Sequence, residues 1–326
     1  MRRRLLAVIV VLVVSVLVCV ASASSAGAPP LTFRLFVNTS LPLGQVLWTG
    51  SSFVYIAQHQ GYLLSSDPQG ENLQRFATFA QGGDETRCAE SIGAPYWPAG
   101  LYCHTADNRI LRISSDGQTI SLLTRLPSSA GPVSDGAIAF DNVGRFGHRM
   151  LVASGDSTSN GGTIFAVTPK GSVTRIGSYP GPGGADNITV ASTRFGTASG
   201  NVLIAVDESR ASGSVIAMDS LGRTRRIASH LGNGANPIDV IRASPATRSP
   251  NAAAAGFYFG DAESGNVFMA PAAELRPYVG DIIVGCEFHS WFWIVRPTHS
   301  GGFQTLRLQS NLPSKPWALE GAAYVP

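Results

Sequence analysis

The stretch Ile110-Leu111-Arg112-Ile113-Ser114-Ser115-Asp116-Gly117 decides the fold, because it comes back. It recurs as Ile164-Phe165-Ala166-Val167-Thr168-Pro169-Lys170-Gly171 and as Val215-Ile216-Ala217-Met218-Asp219-Ser220-Leu221-Gly222. A weaker copy occupies residues 267–273, and an early one runs from Tyr62 to Gly70. Gly70, Gly117, Gly171 and Gly222 are 47, 54 and 51 residues apart. Alternating apolar residues running into an Asp, Pro or Gly turn are half-buried strands joined by a hairpin.

Another apolar strand precedes each copy, at residues 53–57, 101–104, 150–153, 202–206 and 257–260. Ahead of that lies a third, at 45–48, 137–140, 188–191 and 238–241, and a fourth follows the turn, as at 172–176 and 223–228. Four antiparallel strands per unit of this length make one blade of a β-propeller. The expectation is an all-β chain with one propeller domain over residues 27–326, most simply six four-stranded blades, with five or seven as alternatives. The last unit is irregular: residues 281–287, 291–297 and 303–309 supply three strands without an obvious first one. Residues 33–37 and 320–325 read as strands from the two ends of the chain that join to close the ring and remove an exposed edge.

The chain opens Met1-Arg2-Arg3-Arg4, continues apolar to Val20, and then carries small residues, Ala21-Ser22-Ala23-Ser24-Ser25-Ala26. A basic start, an apolar core and an Ala-x-Ala-like site make residues 1–26 a secretory signal peptide, cleaved after Ala23 or Ala26. The alternative is an uncleaved anchor, for which the run is short. Cys19 invites a lipoprotein reading, but Val18 stands where a small residue is needed. The mature chain is expected outside the cell, with no membrane association after cleavage.

Three of the 24 Lys and Arg residues lie in that leader, which leaves 21 against 21 acids. With no basic run to track a phosphate backbone, nucleic acid is excluded as a partner. Cys88, Cys103 and Cys286 remain after the leader. In an oxidising compartment, Cys88 and Cys103 are expected to form a bridge closing a short loop, with buried free thiols as the alternative. Cys286 sits in an apolar run and reads as a buried thiol. No spacing matches a zinc site.

Candidate chemistry lies at the acids that begin the inner strands. Asp84, Asp135 and Asp186 recur at intervals of 51 residues, Asp239 follows in Asn236-Pro237-Ile238-Asp239, and Glu320-Gly321 echoes Asp135-Gly136 and Asp186-Asn187. Inner strands that line one channel bring such positions onto a ring. Carboxylates converging there without a neutralising Lys or Arg repel each other unless a cation joins them. Oxygen ligands from Glu320, Asp135, Asp186, Asn187 and Asp239 suit Ca²⁺ or another divalent cation. The alternative makes these acids turn residues that cap the backbone.

Other positions are plainer. Glu287 and His289 are two apart and would share a strand face if a strand continues there, as a general-base pair or a surface contact. Trp291, Phe292 and Trp293 read as core, with one ring free to line a ligand groove. Asn38-Thr39-Ser40 and Asn187-Ile188-Thr189 are glycosylation sequons. Gly181-Pro182-Gly183-Gly184 reads as an inter-blade loop, and no nucleophile elbow is present.

The repeated units, with inner strands opening on Asp135-Gly136, Asp186-Asn187 and Glu320-Gly321, resemble the six-bladed gluconolactonase and strictosidine-synthase-like propellers. The resemblance spans nearly the whole mature chain through degenerate motifs. It implies a divalent cation in the channel, held by a Glu, an Asn and an Asp, that assists lactone or ester hydrolysis. Glu320-Gly321 matches that family's Glu-Gly element, although it closes this chain instead of opening it. The family's Pro-Asn-Gly signature is degraded to Asn236-Pro237-Ile238-Asp239. Two functions follow: an extracellular module that binds a small molecule, carbohydrate or protein on one face, or a metal-dependent hydrolase.

Overall fold

A computed structural model describes residues 30–79, 86–130, 137–155, 161–181, 183–206, 212–243, 253–313 and 317–326. They form six four-stranded antiparallel sheets. The first strand, β1 (Arg34–Asn38), belongs to the last blade. Blade 1 is β2 (Leu43–Trp48), β3 (Phe53–Ala57), β4 (Tyr62–Ser66) and β5 (Gln74–Thr78). Blade 2 is β6 (Arg87–Glu90), β7 (Leu101–His104), β8 (Arg109–Ile113) and β9 (Ile120–Arg125). Blade 3 is β10 (Ala137–Phe140), β11 (Met150–Ser154), β12 (Gly162–Val167) and β13 (Val173–Tyr179). Blade 4 is β14 (Ala185–Val190), β15 (Val202–Val206), β16 (Ser214–Met218) and β17 (Thr224–Ala228).

The remaining strands depart from this simple order. After β18 (Ile238–Val240) the chain leaves its sheet and lays down the hairpin of β19 (Gly256–Asp261) and β20 (Asn266–Pro271) in the next blade. It passes through the short helix α1 (Ala272–Leu275) and returns to β21 (Ile282–Cys286), β22 (His289–Pro297) and β23 (Phe303–Leu308), which pair outward from β18. The closing strand β24 (Leu319–Val325) is innermost in blade 6, with β19, β20 and then β1 outside it. The sequence expectation of a fifth unit at 238–273 and a sixth lacking its first strand is thus corrected. Residues 238–240 open the unit that continues at 282, and the hairpin between them belongs to the closing blade. Joining of the two chain ends in one blade holds as expected.

Six apolar clusters hold the ring together, each spanning two successive blades. One joins blades 1 and 2 through Val54, Ile56, Leu101 and Leu111, and another joins blades 5 and 6 through Phe257, Phe259, Phe292 and Ile294. Each such side chain contributes about 1.5–3 kcal/mol by leaving water.

The repeat seen in the sequence is the outer hairpin turn. Asp67, Thr168, Asp219 and Thr298 each accept a turn N–H through a side-chain oxygen, and Ser114 Oγ accepts from Thr119 N. The following glycines, Gly70, Gly117, Gly171, Gly222 and Gly301, have φ between +75° and +83°. At Gly117 a Cβ would also collide with the Phe76 carbonyl on the outermost strand of the preceding blade, so that turn doubles as an inter-blade contact.

Candidate functional site

Every blade runs inner to outer in alternating strands, so the six inner strands β2, β6, β10, β14, β18 and β24 point the same way around one central channel. Their N-terminal ends meet at one mouth and their C-terminal ends at the other.

Near the N-terminal ends of the inner strands, polar groups tie four of the six blades together. Arg87, 1 % exposed, donates Nη2 to Glu320 Oε2 at 2.7 Å and Nη1 to the Gly44 carbonyl. Asn236 donates Nδ2 to the same Glu320 oxygen at 2.9 Å. Beside them, the Gln45 side-chain amide accepts from Cys88 N at 2.7 Å and donates to Cys88 O at 3.0 Å, pairing with β6 as a strand would. Blades 1, 2, 5 and 6 are thereby linked at one point. The buried Asn236 Oδ1 has no hydrogen-bond partner among the described residues.

Glu320, Asp186, Asn187 and Asp239 are all buried on inner strands, whereas Asp135 and Asp84 lie outside the described residues. Two of the acids have a basic partner, against the expectation that the converging carboxylates lack one: Glu320 pairs with Arg87 and Asp239 with Arg242. Asp239 Oδ1 accepts from Arg242 Nη2 at 3.0 Å and from Val240 N, and its Oδ2 accepts from Tyr324 N at 2.8 Å. Among the described residues, no group of three or more His, Cys, Asp and Glu side chains is placed to hold a metal ion.

The phase between Asp186 and Glu320 also shifts. Inner strands β2, β14 and β24 each carry a bulge, which leaves Gly44, Asp186 and Gly321 out of the ladder. Asp186 is therefore equivalent to Gly321, and Glu320 to Ala185. Side chains alternate faces with a period of two, so one residue of offset turns the two acids differently. Gly321 must be glycine, since a Cβ there would lie 2.5 Å from Gln45 Cγ and its φ is +32°.

Beyond the plug, toward the C-terminal mouth, lies a cavity of about 340 Å³. Gln45, Asn187, Thr189 and Asn142 give it neutral polar groups, and Ile138, Ile188, Trp48 and Tyr324 give it apolar surface. Glu90 stands at its edge, open to the channel and without a hydrogen-bond partner among the described residues. The enclosing walls strip hydration from its carboxyl and push its pKa up to about 7. Arg87, Arg242, Gln45 and Glu90 were not singled out by the sequence, and only the charge of the first two in otherwise apolar inner segments marked them.

Cys88 and Cys103 form a disulfide with Cα atoms 4.0 Å apart, directly opposite each other on β6 and β7. Cys286 is a buried free thiol that donates to the Asn233 carbonyl, and burial pushes its pKa up to about 11. His289 stacks on Trp291, so the ring contact is the partner observed for it. Of the two sequons, Asn38 is exposed and Asn187 is buried in the channel wall. No helix among the described residues is long and apolar enough to cross a membrane.

No protein-family model matches the chain, and no curated protein matches it. Solved structures do. A chain of a nidogen/laminin complex aligns with a TM-score of 0.51 and 8 % identity, covering 86 % of this chain and 83 % of that one. A Kuenenia stuttgartiensis hydrazine synthase aligns with a TM-score of 0.49 and 13 % identity, covering 86 % and 69 %. At such identities the likeness to the first is one of fold alone, which agrees with the six blades.

Proposed function

We propose that this chain is an exported ligand-binding propeller that takes a small, largely neutral and polar molecule into the cavity at the C-terminal mouth of its channel. The observation that carries the reading is the combination of a plug and an open pit. Arg87, Glu320 and Asn236 tie four inner strands together behind a pocket lined by amides, a hydroxyl, apolar walls and the paired Asp239 and Arg242, with Glu90 at its edge. The leader-like residues 1–26 and the disulfide support export. In this reading Arg87 supplies the positive charge that Glu320 needs, and the neighbouring donors do not suit a divalent cation. A cation on Glu320 Oε2 would crowd the guanidinium 2.7 Å away.

The second reading, hydrolysis of a lactone or ester, is favoured by Glu90 alone, whose raised pKa suits a general base near neutrality. One experiment tests both. Purified protein is melted against a panel of saccharides, lactones and esters, beside Ala139→Phe, which fills the pit from its wall. A compound that raises the melting temperature of the parent and not of A139F is expected. Equal stabilisation of both proteins would move the ligand out of the pit, and no stabilisation by any compound would remove the reading. Turnover of a lactone or ester, lost in Glu90→Gln, would establish the hydrolase instead.

A further inference from the structure

A second site lies on blade 5, away from the channel. β22 and β23 pair with Trp293 opposite Arg307, so Arg307 projects from the same sheet face as Trp293. His289 stacks on Trp291 with ring centroids 4.4 Å apart and planes 19° apart. Arg307 Cζ sits 3.9 Å from the centroid of the same indole. The imidazole and the guanidinium therefore both pack against the Trp291 indole.

Arg109, Arg223, Arg242 and Arg296 each have an aspartate within salt-bridge distance. Arg307 is exposed and has no carboxylate partner among the described residues. Arg307 packs on the indole and remains exposed to solvent, and a guanidinium so placed can take a carboxylate through two hydrogen bonds. The notch in front of it, about 410 Å³, is walled by Trp291 and Arg307 together with Ser290, Gln309 and Ser310. The Gln309 amide and the Ser290 hydroxyl can pair with sugar hydroxyls, and Ser310 Oγ, which donates to the Ser290 carbonyl, can still accept from one, while the indole serves as scaffold.

We propose that this notch binds a carboxylated sugar unit, a uronate, with Arg307 holding the carboxylate and Gln309, Ser290 and Ser310 facing the ring hydroxyls. The site is independent of the channel. The test is calorimetric titration of the full protein with trigalacturonic acid and with its methyl ester, which keeps the shape and removes the charge. The acid is expected to bind saturably and the ester roughly ten-fold more weakly or less, the weight of one charge-assisted fork. Arg307→Gln, an exposed change, should bring the acid down to the ester, and Arg307→Lys should restore only part, since an ammonium lacks the planar fork. Trp291→Phe, which loosens the stack without emptying it, should give an intermediate loss. Equal binding of acid and ester, unchanged binding by R307Q, or no heat from the acid at millimolar concentration would each overturn the proposal.

Discussion

Arg87 Nη2 lies 2.7 Å from Glu320 Oε2, so a side chain on the second inner strand is bonded to one on the last strand of the chain, 233 residues away. Both are buried, and both are therefore held by each other rather than by water. Removing one partner leaves an uncompensated buried charge, which costs about 3–5 kcal/mol. Glu320→Gln and Arg87→Met are each expected to lose that much in denaturant unfolding, while the double variant regains a good part of it. The melting temperature of the parent protein should not respond to Ca²⁺ or to a chelator. A calcium-dependent rise that Glu320→Gln abolishes would return the channel to the metal reading.

The disulfide joins an inner strand to its neighbour in the same blade, closing a loop of 15 residues. In the chain-entropy model such a loop contributes about 3 kcal/mol by restricting the unfolded chain. Cys88→Ser with Cys103→Ser should lower the unfolding free energy by that order without changing the fold. Because Gln45 brackets the backbone of Cys88, β6 stays anchored to β2 even in the variant. A native-like circular dichroism spectrum with a lower denaturation midpoint is expected. Unchanged stability under oxidising conditions would mean that the bridge contributes nothing.

His104 is fully buried on β7, across from Arg87, and loss of hydration lowers its pKa to about 4 against partial compensation from Asn108 and Asp107. The folded protein binds this proton less readily than the unfolded chain, whose imidazole titrates near 6.5. The stabilisation is complete above about pH 6.5 and is lost as pH falls toward 4, reaching about 3 kcal/mol at the lower end. Unfolding free energies measured between those limits should fall steeply with acid in the parent and less steeply in His104→Gln. Parallel curves for the two proteins would show that another group controls the acid limb.

Much of the fold was legible because its information is local. Residues 110–117 and their copies carry both the alternation and the turn, and the turn glycines at positive φ are where the periodicity placed them. The pairing of Cys88 with Cys103 followed from two strands of one blade. Membership of the β19–β20 hairpin was not legible, since a hairpin has two open edges and nothing in residues 256–271 states which sheets they meet. Nor was the polar plug. Thr86-Arg87-Cys88 reads as an ordinary strand start, and the partner of Arg87 is fixed only when the last strand closes the ring. The bulge at Asp186 escaped for a related reason, as bulges are read from the pairing and not from one strand alone.

Phe33 tests how that closure is held. It lies just before β1, 4 % exposed, with its ring 5.1 Å from Phe259 in blade 6 and 4.7 Å from Phe292 in blade 5. Its backbone N–H donates to Asn311 Oδ1 at 2.8 Å, and Asn311 Nδ2 donates back to its carbonyl at 3.0 Å. The N-terminal segment is thus fastened to the blade before the closing one as well as to the closing blade itself. Phe33→Ala leaves a cavity at that junction and should cost about 3–5 kcal/mol. Leu35, 57 % exposed on β1, is the internal control, and Leu35→Ala should stay within about 0.5 kcal/mol of the parent. Hydrogen exchange should then show faster opening of β1 and β20 in F33A, with blades 2 to 4 protected as before. Equal stability of the two variants would mean that the ring is closed by β24 alone and that β1 merely decorates its outer edge.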